Sequence, residues 1–206
     1  MKHHSYFTFS VYKRRMPMVF LWSILLLSVS WKGSGQLTAD FIASTTSICS
    51  GSSVQFTDNS TETTGSTTYD WNFGAGASPA TATGAGPHTV TYSVPGTSTV
   101  SLTITDGVSD SETKPDFITV AAFPSSPTAN LTQPTCLVST GSITVTSPTG
   151  ANIQYSIDGT NWVSSATFSN LAPNANYTIR VRDNSVNPSC ISASDFTINA
   201  QPPTPT

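Results

Sequence analysis

Trp71 and Phe73, two residues apart, and Trp162 are the side chains best suited to stack on a sugar ring. The same residue types alternating along a strand also build a core, where a buried indole contributes a large apolar area. For Trp71 and Phe73 the core role is the expectation, with His88 and Tyr92 in the same structural motif. Trp162 follows the Asp158-Gly159 turn and is expected to pack at a core or an edge. Asp40, Asp58, Asp70, Asp106, Asp110 and Asp116 recur near the turns of one segment. Calcium needs roughly six to eight oxygens converging at about 2.5 Å, and Asp58, Asp70 and Asp106 are the candidate ligands. Turn aspartates also satisfy local backbone N–H groups, and no dense calcium-loop spacing is present. No cofactor is therefore expected, with calcium as the one candidate to test.

Catalysis finds little to work with. Beyond the N-terminal leader there remain one histidine (His88), one lysine (Lys114) and two glutamates (Glu62 and Glu112). His88 is the only ready general base near neutral pH. The sequence holds no Gly-x-Ser-x-Gly elbow, His-Glu-x-x-His zinc helix, phosphate-binding glycine loop or dinucleotide fingerprint. A carboxylate pair for glycoside hydrolysis needs only two acids at the right separation, and nothing points to one. The chain is read as non-catalytic, with no catalytic residue.

Three cysteines are present, Cys49, Cys136 and Cys190. An odd number leaves one thiol unpaired or paired between chains. Cys136 and Cys190 flank the second segment at its first and last strands, so a disulfide between them is expected, with two free thiols as the alternative. Such a bridge would contribute roughly 4 kcal/mol in the chain-entropy picture. Cys49 is expected to be a buried free thiol.

These residues must be positioned by strands. Val54 and Phe56 alternate with polar residues, as do Tyr69, Trp71 and Phe73, then Val90 and Tyr92, then Val100, Leu102 and Ile104. Period two means one face buried and one wet, and the Thr and Ser between them suit a strand surface. Pro95-Gly96 and Asp106-Gly107 are turn dipeptides between runs. A second segment repeats the logic with Ile143 and Val145, then Ile153, Tyr155 and Ile157, then Tyr177, Ile179 and Val181, then Phe196 and Ile198. No stretch shows sustained helical spacing. Short strands with turns about every ten residues predict sandwiches.

The 206-residue chain begins differently. Lys13, Arg14 and Arg15 precede an apolar run from Met18 to Val29, followed by Gly33-Ser34-Gly35. Basic, apolar, then small is the order of a secretory signal peptide. The run of about a dozen residues is short of the roughly 20 that a spanning helix needs. The expected layout is a signal peptide (1–35), a β-sandwich (36–121), a Pro/Ser linker (122–127), a second β-sandwich (128–200) and a Pro/Thr linker (201–206). That last stretch predicts further domains downstream. The fold class is all-β, two tandem immunoglobulin-like β-sandwiches after a signal peptide.

Only 9% of residues are charged, against about a quarter in typical globular proteins. Five of the eight basic residues lie in the leader, so three cations face eleven acids afterwards, a net charge of −8. Scattered cations on an acidic chain cannot neutralise a row of phosphates, which excludes nucleic acid as a partner. An anionic membrane surface repels it as well, so no membrane insertion is expected once the signal is cleaved.

The first segment, about Leu37 to Ala121, resembles a PKD domain. The resemblance rests on Ala39-Asp40-Phe41, Ser53-Val54-Gln55-Phe56-Thr57-Asp58 and Tyr69-Asp70-Trp71-Asn72-Phe73-Gly74-Ala75-Gly76. It continues in the family's order through His88-Thr89-Val90-Thr91-Tyr92, Pro95-Gly96 and Val100 to Gly107. Ala75 stands where the family usually has aspartate. The second segment, about Pro127 to Ala200, is similar to the short SprB-type repeats of bacterial gliding-motility adhesins. Cys136, Gly141 to Val145, Tyr155 to Gly159, Trp162, Phe168, Leu171, Tyr177 to Asp183 and Cys190 carry that likeness. Both resemblances imply a secreted or outer-surface location in gliding, polymer-degrading bacteria. They imply a non-catalytic module that binds extracellular protein or polysaccharide in adhesion, or serves as a spacer. The alternative is the accessory N-terminal region of a larger secreted protease or glycosidase.

Overall fold

The structure is a computed structural model that describes residues 35–205. The expected leader, apart from Gly35, lies outside the described residues. The described chain is all-β and folds as two tandem immunoglobulin-like sandwiches.

The first sandwich sets a four-stranded sheet against a five-stranded one. The smaller sheet runs β1 (Phe41–Ala43), β3 (Ser52–Asp58), β7 (His88–Tyr92) and β5 (Ala77–Ser78), all antiparallel. The larger runs β2 (Ser47–Cys49), β9 (Val108–Ala121), β8 (Gly96–Asp106), β4 (Thr68–Asn72) and β6 (Thr81–Thr83). Alternation decides which residues meet between the sheets. Val54, Phe56, Phe73, Val90, Tyr92, Val100, Leu102 and Ile104 are fully buried, and Trp71 is 2% exposed. Aromatic rings dominate this layer: Trp71 stacks on Phe73 at 5.6 Å and meets the edge of Phe41 at 5.5 Å. Each such side chain contributes roughly 1.5–3 kcal/mol by leaving water.

The opening segment changes sheets. β1 pairs with β3, but after Ser44-Thr45-Thr46 the chain crosses over, and β2 pairs parallel with β9, Ser47 opposite Thr119 and Cys49 opposite Ala121. Thr45 Oγ1 both donates to the Ser47 carbonyl and accepts its N–H, holding the bend. The crossover carries Cys49 to the place where the chain leaves the first sandwich.

The second sandwich is smaller. One sheet is β10 (Thr128–Thr132), β11 (Gly141–Ser147) and β13 (Thr167–Leu171). The other is β12 (Ile153–Ser156), β14 (Ala175–Asp183) and β15 (Ile191–Ile198). Its core is aliphatic, with Ile143, Ile179, Val181 and Ile198 fully buried and Tyr155 closing one side. Tyr155 donates its hydroxyl to the Pro148 carbonyl at 2.7 Å. Among the described residues no helix is long and apolar enough to cross a membrane.

Candidate functional site

At the junction of the sandwiches the structure departs from the sequence expectation. The disulfide joins Cys49 to Cys190, not Cys136 to Cys190, and Cys136 is a free, half-buried thiol. The reason is geometric. Cys190 stands just before β15, whereas the Cys136 carbonyl accepts from Gln201 Nε2, beyond the far end of β15. An eight-residue strand at about 3.3 Å per residue separates those positions by roughly 26 Å. A disulfide tolerates Cα atoms no more than about 7 Å apart. The Cα atoms of Cys49 and Cys190 are 5.8 Å apart. Cys49 is therefore not the buried free thiol the sequence suggested.

Further bonds converge on the bridge. The Ser50 N–H donates to the Ala121 carbonyl at 2.9 Å, and the Ser192 hydroxyl donates to the Pro124 carbonyl at 2.6 Å. The connecting segment and the disulfide thus cross one junction side by side. Beside them lies a groove of about 270 Å3, lined by residues 122–125 together with Pro148, Ile153, Asp183 and Val186. Phe123 is half exposed there.

The aromatic motif faces inward. Trp71 Nε1 donates to the Gly84 carbonyl at 2.9 Å, and His88 Nε2 lies 2.9 Å from the same oxygen. A carbonyl can only accept, so neutral His88 carries its proton on Nε2. The His88 ring also meets the edge of Trp71 at 5.5 Å. Tyr92 donates to the Phe73 carbonyl at 2.8 Å, and burial pushes its phenol up to about 12. Ser98 Oγ donates to the carbonyl of Ala75, so that position serves through its backbone.

The three candidate calcium ligands are not brought together. Asp58, at the end of β3, accepts the Ser60 N–H at 3.0 Å. Asp70, within β4, lines a shallow cleft of about 530 Å3 with Thr67, Thr68, Tyr69, Thr83 and Gly84. Asp106, at the end of β8, accepts the hydroxyls of Thr64, Thr67 and Ser66, which hold its carboxyl below the usual carboxylate range. Among the described residues no three His, Cys, Asp or Glu side chains gather where a metal ion could be held.

Lys114 is fully engaged. Its ammonium pairs with Asp40 at 2.8 Å, donates to the Phe41 carbonyl at 2.6 Å and sits 4.5 Å from the Phe41 ring centroid. The hydrogen bond from Lys114 to Asp40, helped by one from Asn59, lowers the Asp40 carboxyl. Trp162 is half-buried and covered on one face by Arg182, whose guanidinium carbon lies 4.3 Å from the ring centroid. Arg182 in turn donates from Nε and Nη2 to Gln154 Oε1 at 3.0 and 2.8 Å. Sequence reasoning missed this pair: the β12–β14 register sets Gln154 opposite Arg182, and the separate Tyr155–Val163 bridge brings the Trp162 segment alongside.

The aromatic layer, the Gly84 carbonyl shared by Trp71 and His88, and the hairpin at Asp106-Gly107 lie within residues 38–120, which match the family model described as PKD domain. This stretch is similar to a PKD domain. No curated protein matches the chain in sequence. Solved structures that resemble it include murine CEACAM1b, at 13% identity over 80% of this chain and 99% of that one, with a TM-score of 0.33. Another is the C-terminal 282-residue fragment of intimin, in complex with the intimin-binding domain of the translocated intimin receptor. It is 12% identical over 80% of this chain and 64% of that one, with a TM-score of 0.45. The fibronectin(III)-like modules of Clostridium thermocellum CbhA are 13% identical over 79% of this chain and 95% of that one, with a TM-score of 0.35.

Proposed function

We propose that this chain is a secreted or cell-surface, non-catalytic segment that acts as a stiff two-module spacer with adhesive faces. Its layout is a cleaved leader, a PKD-like sandwich, a short Pro/Ser connection and a second sandwich. Its partners are extracellular protein or polysaccharide. The observation that carries the reading is the Cys49–Cys190 bridge. A single peptide connection lets two domains swivel, and relative motion is the default for small interfaces. A second covalent tether beside it, reinforced by the Ser192–Pro124 hydrogen bond, removes most of that freedom. Rigidity of this kind serves holding and presenting rather than turnover.

Small-angle X-ray scattering of the protein before and after mild reduction tests this. The oxidised protein is expected to give one narrow distance distribution that broadens when the bridge is reduced. An oxidised protein as flexible as the reduced one would overturn the reading, and so would detectable hydrolytic turnover abolished by a single Asp substitution. The module is also proposed to work without a cofactor, because Asp106 already has three hydroxyl partners. A rise in melting temperature on adding calcium speaks against that part.

A further inference from the structure

Arg180 and Arg182 stand two residues apart on β14, on the face opposite the buried Ile179 and Val181. Across the sheet their neighbours on that face are Ser156 and Gln154 from β12, and Ala193 and Ile191 from β15. Of the three cations beyond the leader, these two share one face, while the third, Lys114, is spent in the first sandwich. Neither arginine has a carboxylate partner: the ion pair between Lys114 and Asp40 is the only one among the described residues.

The nearby acids, Asp195 on this same face among them, take their hydrogen bonds from groups other than the arginines. Asp195, opposite Thr178, takes the Thr178 hydroxyl at 2.6 Å. Asp158 is filled by Ser156, Thr160 and Asn161, and Asp183 by Ser185. Arg182 is held flat between Trp162 and Gln154, with Nη1 making no hydrogen bond. Arg180 lies against Gly159 and makes one long hydrogen bond, from Nη1 to the Thr178 carbonyl at 3.5 Å, which leaves Nε and Nη2 without one. Ile191 beside them is 44% exposed. A chain with so large an excess of acids has two guanidinium groups here that lack a carboxylate, one of them oriented by an aromatic ring, next to exposed apolar surface. Arginine, tryptophan and a small apolar contact are the composition of binding hot spots.

We propose that this outer face of β12, β14 and β15 is a docking site for an extended acidic segment of a partner protein, one presenting carboxylates two residues apart. The spacing argues for a polypeptide: side chains at i and i+2 of a strand repeat at about 6.8 Å, the interval that separates Arg180 from Arg182. The Nε and Nη2 edge of Arg180 then takes one carboxylate as a fork, and Nη1 of Arg182 donates to the other. This deepens the adhesive reading above and rests on it.

The test is an NMR titration of the purified protein with a capped Thr-Glu-Thr-Glu-Thr peptide, its Thr-Gln-Thr-Gln-Thr counterpart and an oligogalacturonate. The acidic peptide is expected to shift the Arg180 and Arg182 Nε–H and Trp162 indole signals, and added salt is expected to weaken it. Arg180→Gln is expected to lower its affinity roughly tenfold while the Trp162 indole signal of the free protein stays in place. Equal binding of the glutamine peptide overturns the proposal, as does no binding or no effect of Arg180→Gln. Preference for the oligogalacturonate would make the partner a polysaccharide instead and also overturn it. None of these outcomes touches the scattering result, on which the stiff-spacer reading stands or falls.

Discussion

Cys190 is bonded to Cys49 across 141 residues of sequence, and the junction between two independent cores sits between them. The bridge ties the crossover strand β2 to the start of β15, beside the carbonyl of Ala121 where the first sandwich ends. It therefore couples the orientation of the sandwiches more than it stabilises either one.

Peptide mapping under non-reducing conditions is expected to find the Cys49 and Cys190 peptides linked and Cys136 alkylated. Cys136→Ser should leave that map unchanged and alter stability by less than about 0.5 kcal/mol, as for other substitutions away from core and network. Recovery of a Cys136–Cys190 peptide would contradict the fold of the second sandwich, because it requires the two ends of β15 to meet.

Tyr92 predicts an alkaline limit. Its phenol is fully buried, bonded to the Phe73 carbonyl and raised to about 12 from an ordinary 10. Below pH 10 the phenol is neutral in both states and the full stability is present. As pH rises from 10 toward 12 the unfolded chain ionises first, so roughly 2–3 kcal/mol is lost over that window. Denaturant melts at stepped pH should show this slope in the wild type. Tyr92→Phe, at a cost of roughly 1–2 kcal/mol at neutral pH for the lost hydrogen bond, should lack it.

The acid side runs the other way. Asp158 is held well below the usual carboxylate range, first by the Asn161 side chain and then by the Asn161 and Thr160 N–H groups. Hydrogen bonds likewise lower Asp40, Asp106 and Asp183. Depressed carboxyls contribute stability above their unfolded values, near 4, and lose it as pH falls through their folded ones. Stability is expected to be flat from pH 5 to 8 and to decline below about 4. Carboxyl carbon shifts should show Asp158 titrating last; a normal Asp158 midpoint would refute the loop geometry.

How much of this was written in the sequence differs from element to element. Strand alternation located the inward layer because burial on a sheet is local: Val54, Phe56, Val90, Val100, Leu102 and Ile104 each follow from their immediate neighbours. The Cys49–Cys190 link was not legible, since it depends on β2 leaving one sheet for the other and on how two sandwiches abut. Neither leaves a periodic trace. Asp106 looked like a metal ligand by its place at a turn, yet three hydroxyls of the Thr64–Thr67 loop, brought in by folding, surround it. Trp162 was visible as an aromatic near a turn, and only the β12–β14 register together with the Tyr155–Val163 bridge gave it Arg182.

Gly74 and Gly51 separate two reasons for a glycine. Both have a left-handed backbone, with φ of +82° and +83°. A side chain at Gly51 would meet open space, whereas one at Gly74, just after β4 with its N–H donating to Asn72 Oδ1, would run into the carbonyl of Thr99. Gly51→Ala should therefore cost only the conformational penalty, about 1–2 kcal/mol. Gly74→Ala carries that penalty plus a backbone clash, and must displace the turn whose neighbouring carbonyls, Phe73 and Ala75, accept from Tyr92 and Ser98. It is expected to cost at least about 3 kcal/mol and to leave the second sandwich folded. Thermal melts of the two variants, with indole signals of Trp71 and Trp162 followed separately, check both statements. Equal losses for the two variants would mean that the close approach of Gly74 to Thr99 is not present in solution.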